Sequence, residues 1–364
     1  MKKKILFLVN HDIVIYNFRK ELVERLLLEG NEVYISSPYG KRIDYLVGIG
    51  CQYIPIEINR HGTNPLKDFK IIKYYKKLIK KINPNVILTY TIKPNIYGAI
   101  AAKKSKATVI ANITGLGTAV ENKGFLQKIT IMLYKYAFIN VNTVFFQNNE
   151  NMHFFMLNKI ALEKHELLPG SGVNLKQFQP LKYPSDNTIE FVFISRIMKE
   201  KGIDQYLEAA NHIRKKHPFT KFHICGFCEE AYESILKEYQ EKGIIIYHGL
   251  IDDVRDILKI THCTIHPSYY PEGMSNVLLE SCACARPIIT TNRSGCKEIV
   301  DDEKNGYIIQ EKNKDDLIDK IEKFLNLTYE ERRLMGINGR EKVEKEFDRD
   351  LVIKAYMEKI NNEY

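Results

Sequence analysis

The chain of 364 residues has no stretch approaching the roughly 18 to 20 consecutive apolar residues that span a bilayer, so no transmembrane helix is expected. It has no G-x-G-x-x-G after its first apolar run. Asn10-His11-Asp12-Ile13 stands there instead, which argues against a dehydrogenase-type dinucleotide site. No Asp-x-Asp stands at a strand end, Asp252-Asp253 being adjacent acids in a loop, so no metal and no cofactor are expected. The 7 cysteines, an odd number scattered from Cys51 to Cys296, argue against a disulfide framework and for a reducing cytoplasm. Cys225-Gly226-Phe227-Cys228 has half of a zinc or redox spacing, but there is no second C-x2-C, and Cys282 and Cys284 are too close to supply one. Packed thiols are the expectation. MKKKILFLVN lacks the small-residue cleavage site of a signal peptide, because the polar Asn10-His11-Asp12 follows its apolar run, and it reads as a first β-strand.

What is present is enough chain for two domains of ordinary size, with the apolar and charged fractions of a globular protein. Charge is unevenly spread. Residues 1–170 carry 25 Lys and Arg against 12 Asp and Glu, a net +13, and the remainder carries 29 against 33, a net −4. A basic first half implies an anionic partner. No helix-turn-helix, zinc-finger or RNA-recognition pattern is present, so nucleic acid is not expected and an anionic membrane surface fits better.

The periodicity alternates strand and helix. Ile5 to Val9 is a buried-strand run; a helix follows with Phe18, Leu22, Val23, Leu26 and Leu27 on one face, and Val33-Tyr34-Ile35 is the next strand. Asp68 to Ile82 is an amphipathic helix with Ile71, Ile72, Tyr75, Leu78, Ile79 and Ile82 along one stripe and lysines over the rest. Its basic face is either simply solvated or docked on anionic lipid headgroups. Val86-Ile87-Leu88 and Thr108 to Ala111 are strands, the second leading into Thr114-Gly115-Leu116-Gly117, either a ligand loop at a strand end or a tight turn. Gly124 to Ile139 is apolar on nearly every side, as a helix that is buried or dips into an interface. Val144 to Asn148 closes the first domain's strands, and Leu167 to Asn174 reads as the passage to the second. Strands follow at Phe191–Ile194, Phe222–Gly226 and Ile244–Gly249, and the residues from about Asp315 have helical spacing.

The stretch from His266 to Glu298, HPSYYPEGMSNVLLESCACARPIITTNRSGCKE, carries the most chemistry. A Pro-punctuated loop leads into a helix start, where Gly273 allows close approach of a ligand and Ser275 or Asn276 serves as N-cap. The free N–H groups of such a helix favour an anion such as a diphosphate. Glu272 and Glu280, with seven residues between them, are either a loop Glu and an exposed Glu of an ordinary helix or a pair that can grip the hexose and the ribose of a sugar nucleotide. Arg196 and Lys201 leave a strand end together before a helix, either as two surface cations of a loop or as a pair that can neutralise a diphosphate.

EGMSNVLLES, followed by A-x-A-R-P-I-I and S-G-C-K-E, resembles the donor site of retaining glycosyltransferases of family 4, of the kind that builds bacterial capsule, O-antigen and other surface polysaccharides. Departures from the family pattern are Arg286 and Cys296 where it has Gly, Ser195 where Gly is common, Asn10–Ile13 where a Gly pair is frequent, and no His near Thr114. The resemblance implies an α/β chain of GT-B fold, with two Rossmann-like doubly wound parallel-sheet domains facing across a cleft. Residues 1–170 would bind the acceptor, 171–345 the nucleotide sugar, and a helix within 346–364 would cross back to the first domain. It implies catalytic roles for Glu272, Arg196 and Lys201. Glu280, Gly273, Met274, Ser275, Asn276, Leu250 and Ile251 would bind the donor, and His11, Asp12, Thr114 and Gly115 would line the acceptor side. The activity implied is transfer, with retention, of a hexose or N-acetylhexosamine from a UDP-sugar to a polyprenyl-diphosphate-linked saccharide. The enzyme would work on the cytoplasmic face of the cell membrane, to which the basic half attaches it. The alternatives are a UDP-sugar epimerase or hydrolase of the same fold and a non-catalytic nucleotide-sugar-binding protein.

Overall fold

In the computed structural model, which describes residues 2–58, 65–117, 120 and 124–362, the apolar runs form two parallel sheets. The first contains β1 (Lys4–Leu8), β2 (Glu32–Ser37), β3 (Gln52–Pro55), β4 (Val86–Tyr90), β5 (Thr108–Ile113), β6 (Thr143–Phe146) and β7 (His165–Leu167), in the order β3-β2-β1-β4-β5-β6-β7. The second contains β8 (Ile189–Ile194), β9 (Thr220–Cys225), β10 (Ile246–Tyr247), β11 (Cys263–His266), β12 (Ile288–Thr291) and β13 (Gly306–Ile309), in the order β10-β9-β8-β11-β12-β13. The winding reverses between β1 and β4 in one sheet and between β8 and β11 in the other. Doubly wound sheets open a ligand crevice at the carboxyl ends of such strands.

Burial on both faces explains why these strands read as continuous apolar runs. Along β1, Leu6 and Leu8 join the core under the helix Pro65–Ile82. Ile5 and Phe7 join the opposite core with Leu22, Val23 and Leu26 of the helix Asp12–Leu28. The second sheet repeats the division: Phe191 and Phe193 face the helix Ile203–Lys216, and Val192 and Ile194 face Leu278 and Leu279.

The chain divides into two compact units, Met1–Ser171 with Asp350–Tyr364, and Gly172–Arg349. The closing helix Arg349–Asn361 buries Val352, Tyr356, Met357 and Ile360 in the first unit's core. Buried Arg19 lies over both Tyr90 and Tyr356, 5.3 and 5.2 Å from the ring centroids, and its Nε donates to the Tyr356 hydroxyl at 3.2 Å. That hydroxyl donates in turn to Asn112 Oδ1, so the helix is fixed by polar contacts as well as by packing.

Several expectations are corrected. Val144–Asn148 does not close the first sheet, because His165–Leu167 adds β7 beside β6. Three residues at an edge have no apolar run to reveal them. The run Ile244–Gly249 yields only two paired residues, because β10 is itself an edge strand with Ile246 exposed. The helix start near Glu298 is a single 3-10 turn, Lys297–Ile299, with Glu298 accepting from Ser294 Oγ at 2.9 Å and from Gly295 N at 2.7 Å. The apolar segment after Gly124 is a helix, Phe125–Ala137. It is not buried all round, since Phe125, Leu126, Met132 and Tyr136 are exposed, as is Ile139 just beyond it.

Arg286, in place of the resembled family's Gly, is completely buried with no carboxylate against it. Its guanidinium donates to the carbonyls of Leu258 at 2.7 Å, Lys182 at 2.8 Å, Leu181 at 3.2 Å, Ala285 at 3.2 Å and Cys284 at 3.3 Å. Leu258 and Cys284 stand at the ends of the helices Val254–Leu258 and Asn276–Ala283, so one cation satisfies orphan carbonyls at two helix C-termini. Burial lowers its pKa to about 10, which leaves it charged at neutral pH. The seven cysteines are free thiols; Cys228 is half-buried and the others are buried.

Candidate active site

The crevice of the second sheet is built by the loops that leave β8, β9 and β11. Ser195 and Arg196 leave β8, and Lys201 stands just before the helix Ile203–Lys216. The chain leaves β11 as Pro267 to Glu272, and its helix begins at Asn276. Two glycines hold these loops together. At Gly226 (φ +145°) a Cβ would collide with the Ser195 carbonyl oxygen, so the loop after β9 lies directly on the Arg196 loop. At Gly295 (φ +89°) a Cβ would meet Gly273 O at 2.8 Å, which presses the turn after β12 onto the helix start.

The result gathers Arg196 and Lys201 around one aromatic ring, with Glu272 against Lys201. Lys201 Nζ is 4.8 Å and the Arg196 guanidinium 5.2 Å from the centroid of Tyr270, within cation–π range. Each cation also has a carboxylate: Arg196 Nη1 bonds Glu229 Oε2 at 2.6 Å, and Lys201 forms a close, largely buried ion pair with Glu272 Oε1. His266 Nε2 lies 3.4 Å from the same Glu272 oxygen. Burial alone would raise the Glu272 carboxyl, but Lys201 and His266 outweigh it and hold it far below the usual carboxylate range. Glu272 is therefore ionised at any working pH.

Glu280 behaves in the opposite way. It lies in the helix Asn276–Ala283, and desolvation raises its carboxyl to about 7 against a weaker lowering by Arg349. Asp253 adds to the rise. Ser275 is the N-cap by position, but its hydroxyl makes no capping bond; its N–H donates to Gly295 O at 2.8 Å instead. Asn276 Oδ1 at the helix start and His266 Nδ1 are buried without a hydrogen-bond partner. Such orphans cost about 1–3 kcal/mol each when nothing binds them. Gly273 and buried Met274 sit at this helix start, and half-buried Ile251 packs against the core that contains Met274 and Leu278. Leu250 is 75% exposed.

In the first unit, His11 caps the helix Asp12–Leu28, with Nδ1 3.2 Å from Ile13 N and 2.7 Å from Asp12 Oδ1. Buried Asp12 also accepts from the N–H groups of Ile13 at 2.9 Å and Arg42 at 3.3 Å. Thr114 and Gly115 leave β5, which β4 separates from β1, so the four residues share one edge of the sheet without forming one cluster. Sequence reasoning missed Asn10 and Thr91. They leave β1 and β4 at the first crevice, where Asn10 Oδ1 and Thr91 Oγ1 are buried without a partner. Thr91 also has φ +70°, an outlier for a β-branched residue. Glu229, Tyr270 and His266 were missed as well; only the two tyrosines of the Pro-punctuated loop gave any hint. Among the described residues no group of three His, Cys, Asp or Glu side chains is arranged to hold a metal ion.

The family model described as "Glycosyl transferases group 1" matches residues 176–342, and the one described as "Glycosyl transferase 4-like" matches residues 4–148. The chain is 26% identical over 373 residues to the Campylobacter jejuni N,N'-diacetylbacillosaminyl-diphospho-undecaprenol alpha-1,3-N-acetylgalactosaminyltransferase, covering 97% of each. It is 25% identical over 300 residues to the Escherichia coli UDP-Gal:alpha-D-GlcNAc-diphosphoundecaprenol alpha-1,3-galactosyltransferase, covering 75% of this chain and 76% of that one. Among solved structures, a Rickettsia africae glycosyltransferase superposes with a TM-score of 0.82 at 19% identity over 100% of both chains. Anabaena HepE in complex with UDP superposes with a TM-score of 0.78 at 15% identity over 99% of this chain and 100% of that one. The fold is GT-B: α/β, with two Rossmann-like units.

The Glu280 carboxyl generates a pH prediction. Its folded pKa of about 7 lies above the ordinary 4.5, so the folded state holds a proton that the unfolded chain has lost. Stability from this group is complete below about 4.5, falls as pH rises toward 7, and stays lost above it. The total is on the order of 3 kcal/mol at about 1.4 kcal/mol per unit. Thermal unfolding of the intact protein and of Glu280→Gln should therefore diverge in favour of the Gln variant between pH 5 and 7, and a gap that does not change with pH would refute the shift.

Proposed function

Because the chain belongs to the group 1 glycosyltransferases, with a glycosyltransferase 4-like first half, we propose that it moves a hexose or N-acetylhexosamine from a UDP-sugar to a polyprenyl-diphosphate-linked saccharide in the synthesis of a bacterial surface polysaccharide. One observation carries the assignment of the site. Arg196 and Lys201, from one strand end of the second sheet, share the Tyr270 ring from the neighbouring one, beside the free end of a helix. That is a positive corner at the switch point of a doubly wound sheet, where a diphosphate would be held by a planar fork, a point charge and main-chain N–H groups.

In this reading the diphosphate takes Arg196 from Glu229. Lys201, with three donors, keeps its bond to Glu272 while reaching a phosphate oxygen. Glu272 accepts hydrogen bonds from the hexose, and Glu280 accepts them from the ribose. The anomeric carbon–oxygen bond to the β-phosphate breaks, and the acceptor oxygen bonds to that carbon on the same face. The acceptor proton passes to the departing phosphate oxygen, so the leaving group is neutralised without a separate acid or a metal. The catalytic demand is stabilisation of charge developing on the phosphate, which preorganised cations meet best in a water-poor crevice. Met274, Ser275, Asn276, Leu250 and Ile251 would complete the donor site. Support for an acceptor at the first sheet comes from the unpartnered Asn10 and Thr91 oxygens, placed to meet saccharide hydroxyls beside His11 and Asp12.

We also place the enzyme on the cytoplasmic face of the membrane. Among the described residues no helix is long and apolar enough to cross a bilayer. Phe125, Leu126, Met132, Tyr136 and Ile139 are exposed together with Lys128 and Lys135, the composition of an interfacial helix. Lysines near an anionic surface add about 1 kcal/mol each.

With a UDP-sugar and a polyprenyl-diphosphate-linked saccharide, Arg196→Ala and Glu280→Ala should each lower transfer by about a hundredfold or more while circular dichroism shows an intact fold. The wild-type rate should survive EDTA. Near-normal turnover in either variant, EDTA inactivation reversed by Mn²⁺, or UDP release that needs no acceptor would count against this mechanism, the last in favour of an epimerase or hydrolase. Phosphatidylglycerol vesicles should retain the protein at low salt and lose it at high salt, since charge attraction is screened there; absence of binding at low salt would contradict membrane docking.

A further inference from the structure

A buried hydrogen-bond network in the first unit joins the closing helix to the end of β4, and none of the assignments above uses it. It starts at Arg19 of the helix Asp12–Leu28, whose Nε donates to the Tyr356 hydroxyl at 3.2 Å. A guanidinium has only donors, so the Tyr356 oxygen accepts and its proton points onward to Asn112 Oδ1. The Asn112 amide is thereby oriented, with Nδ2 on the Thr89 carbonyl at 3.0 Å. Asn95 closes the network from the turn that follows β4. Its Nδ2 donates to the Asn112 carbonyl at 2.8 Å, and its Oδ1 accepts from Thr89 Oγ1 at 2.7 Å. Arg19, Thr89, Asn95, Asn112 and Tyr356 are all buried, where such a network is rigid only if each member is satisfied.

What the network encloses is Thr91. Its φ of +70° is strained for a β-branched residue, and such backbone persists only where its surroundings over-determine it. Asn112 holds the carbonyl of Thr89 on one side, and on the other the Asn95 N–H donates to the Thr91 carbonyl at 2.9 Å. Asn95 belongs to a π-helical turn, Pro94–Gly98, a form met mostly at functional sites. Gly98 lets that turn press on the strands, since a Cβ there would meet Leu8 Cδ1 at 2.8 Å and Thr89 Cγ2 at 3.0 Å. Packing needs only the Tyr356 ring, whose centroid is 4.9 Å from that of Phe145; the network needs its hydroxyl. We propose that Tyr356 is a positioning residue for the acceptor: acting through Asn112, Thr89 and Asn95, it holds Thr91 so that the unpartnered Oγ1 meets the acceptor saccharide. The assignment rests on the reading that the saccharide lies at the first crevice.

Hydrogen exchange and transfer kinetics on the full chain test this with Tyr356→Phe, which keeps the ring and removes the hydroxyl. Amides between Thr91 and Gly98 should exchange about tenfold faster or more in the variant, while those of the helix Ile203–Lys216 stay within twofold. KM for a polyprenyl-diphosphate-linked saccharide should rise about tenfold, with KM for the UDP-sugar and the affinity for UDP unchanged. Thr91→Val should raise the same KM, and adding Tyr356→Phe to it should raise it no further, because the two act on one contact. Val352→Ala, which loosens the same helix outside the network, should lower the melting temperature and leave both KM values alone. Unaltered exchange between Thr91 and Gly98, additive effects of Tyr356→Phe and Thr91→Val, or an equal rise in Val352→Ala would overturn the proposal. Faster exchange with an unchanged acceptor KM would sustain the link from Tyr356 to Thr91 and remove the saccharide from the first crevice instead.

Discussion

The register between β8 and β11 is the constraint on which the candidate site depends. Thr264 lies opposite Val192, so Ile194 and His266 end their strands side by side and the two loops that follow emerge at one point. Arg196 and Tyr270 are far apart in sequence, yet this pairing brings them together and sets Lys201 against both Tyr270 and Glu272. A one-residue slip would turn every strand side chain to the opposite face and separate the loops. The close approaches at Gly226 and Gly295 depend in turn on the pairing of β9 with β8 and of β12 with β11. Breaking the buried Lys201–Glu272 pair from either side would strand a charge, which is why the two act as one unit.

Two carboxylates with seven residues between them end up shifted in opposite directions, and one comparison of their surroundings explains both. Both are removed from water, which disfavours ionisation. Glu272 meets a lysine and a histidine and stays charged, whereas Glu280 meets only a weaker influence from Arg349. Environments that push paired acids apart are a recurring way to give them different tasks.

Much of the fold was legible because parallel strands buried on both faces leave continuous apolar runs; Ile5 to Val9 and Phe191 to Ile194 are instances. Helices with one apolar stripe, such as Pro65–Ile82, were legible for the same reason. What escaped was whatever depends on distant partners. β7 is three residues long, at an edge, and polar at two of the three. Arg286 looked like a defect in a glycine position, and only the fold shows that carbonyls from Leu181, Lys182, Leu258 and the end of its own helix converge on it. At the candidate site, the residue types and spacing of Arg196, Lys201, Glu272 and Glu280 could be read directly. The competing carboxylate of Glu229, the shared Tyr270 ring and the buried His266 could not, because each reaches the site through strand pairing.

The central claim is that the Arg196–Lys201 corner accepts a nucleoside diphosphate in exchange for a protein carboxylate. A crystal structure of the full chain with UDP tests it most directly. The account predicts a β-phosphate within hydrogen-bonding distance of Arg196 and Lys201, the ribose on Glu280, and Glu229 no longer bonded to Arg196. UDP bound elsewhere, or bound with the Arg196–Glu229 pair intact, would contradict it.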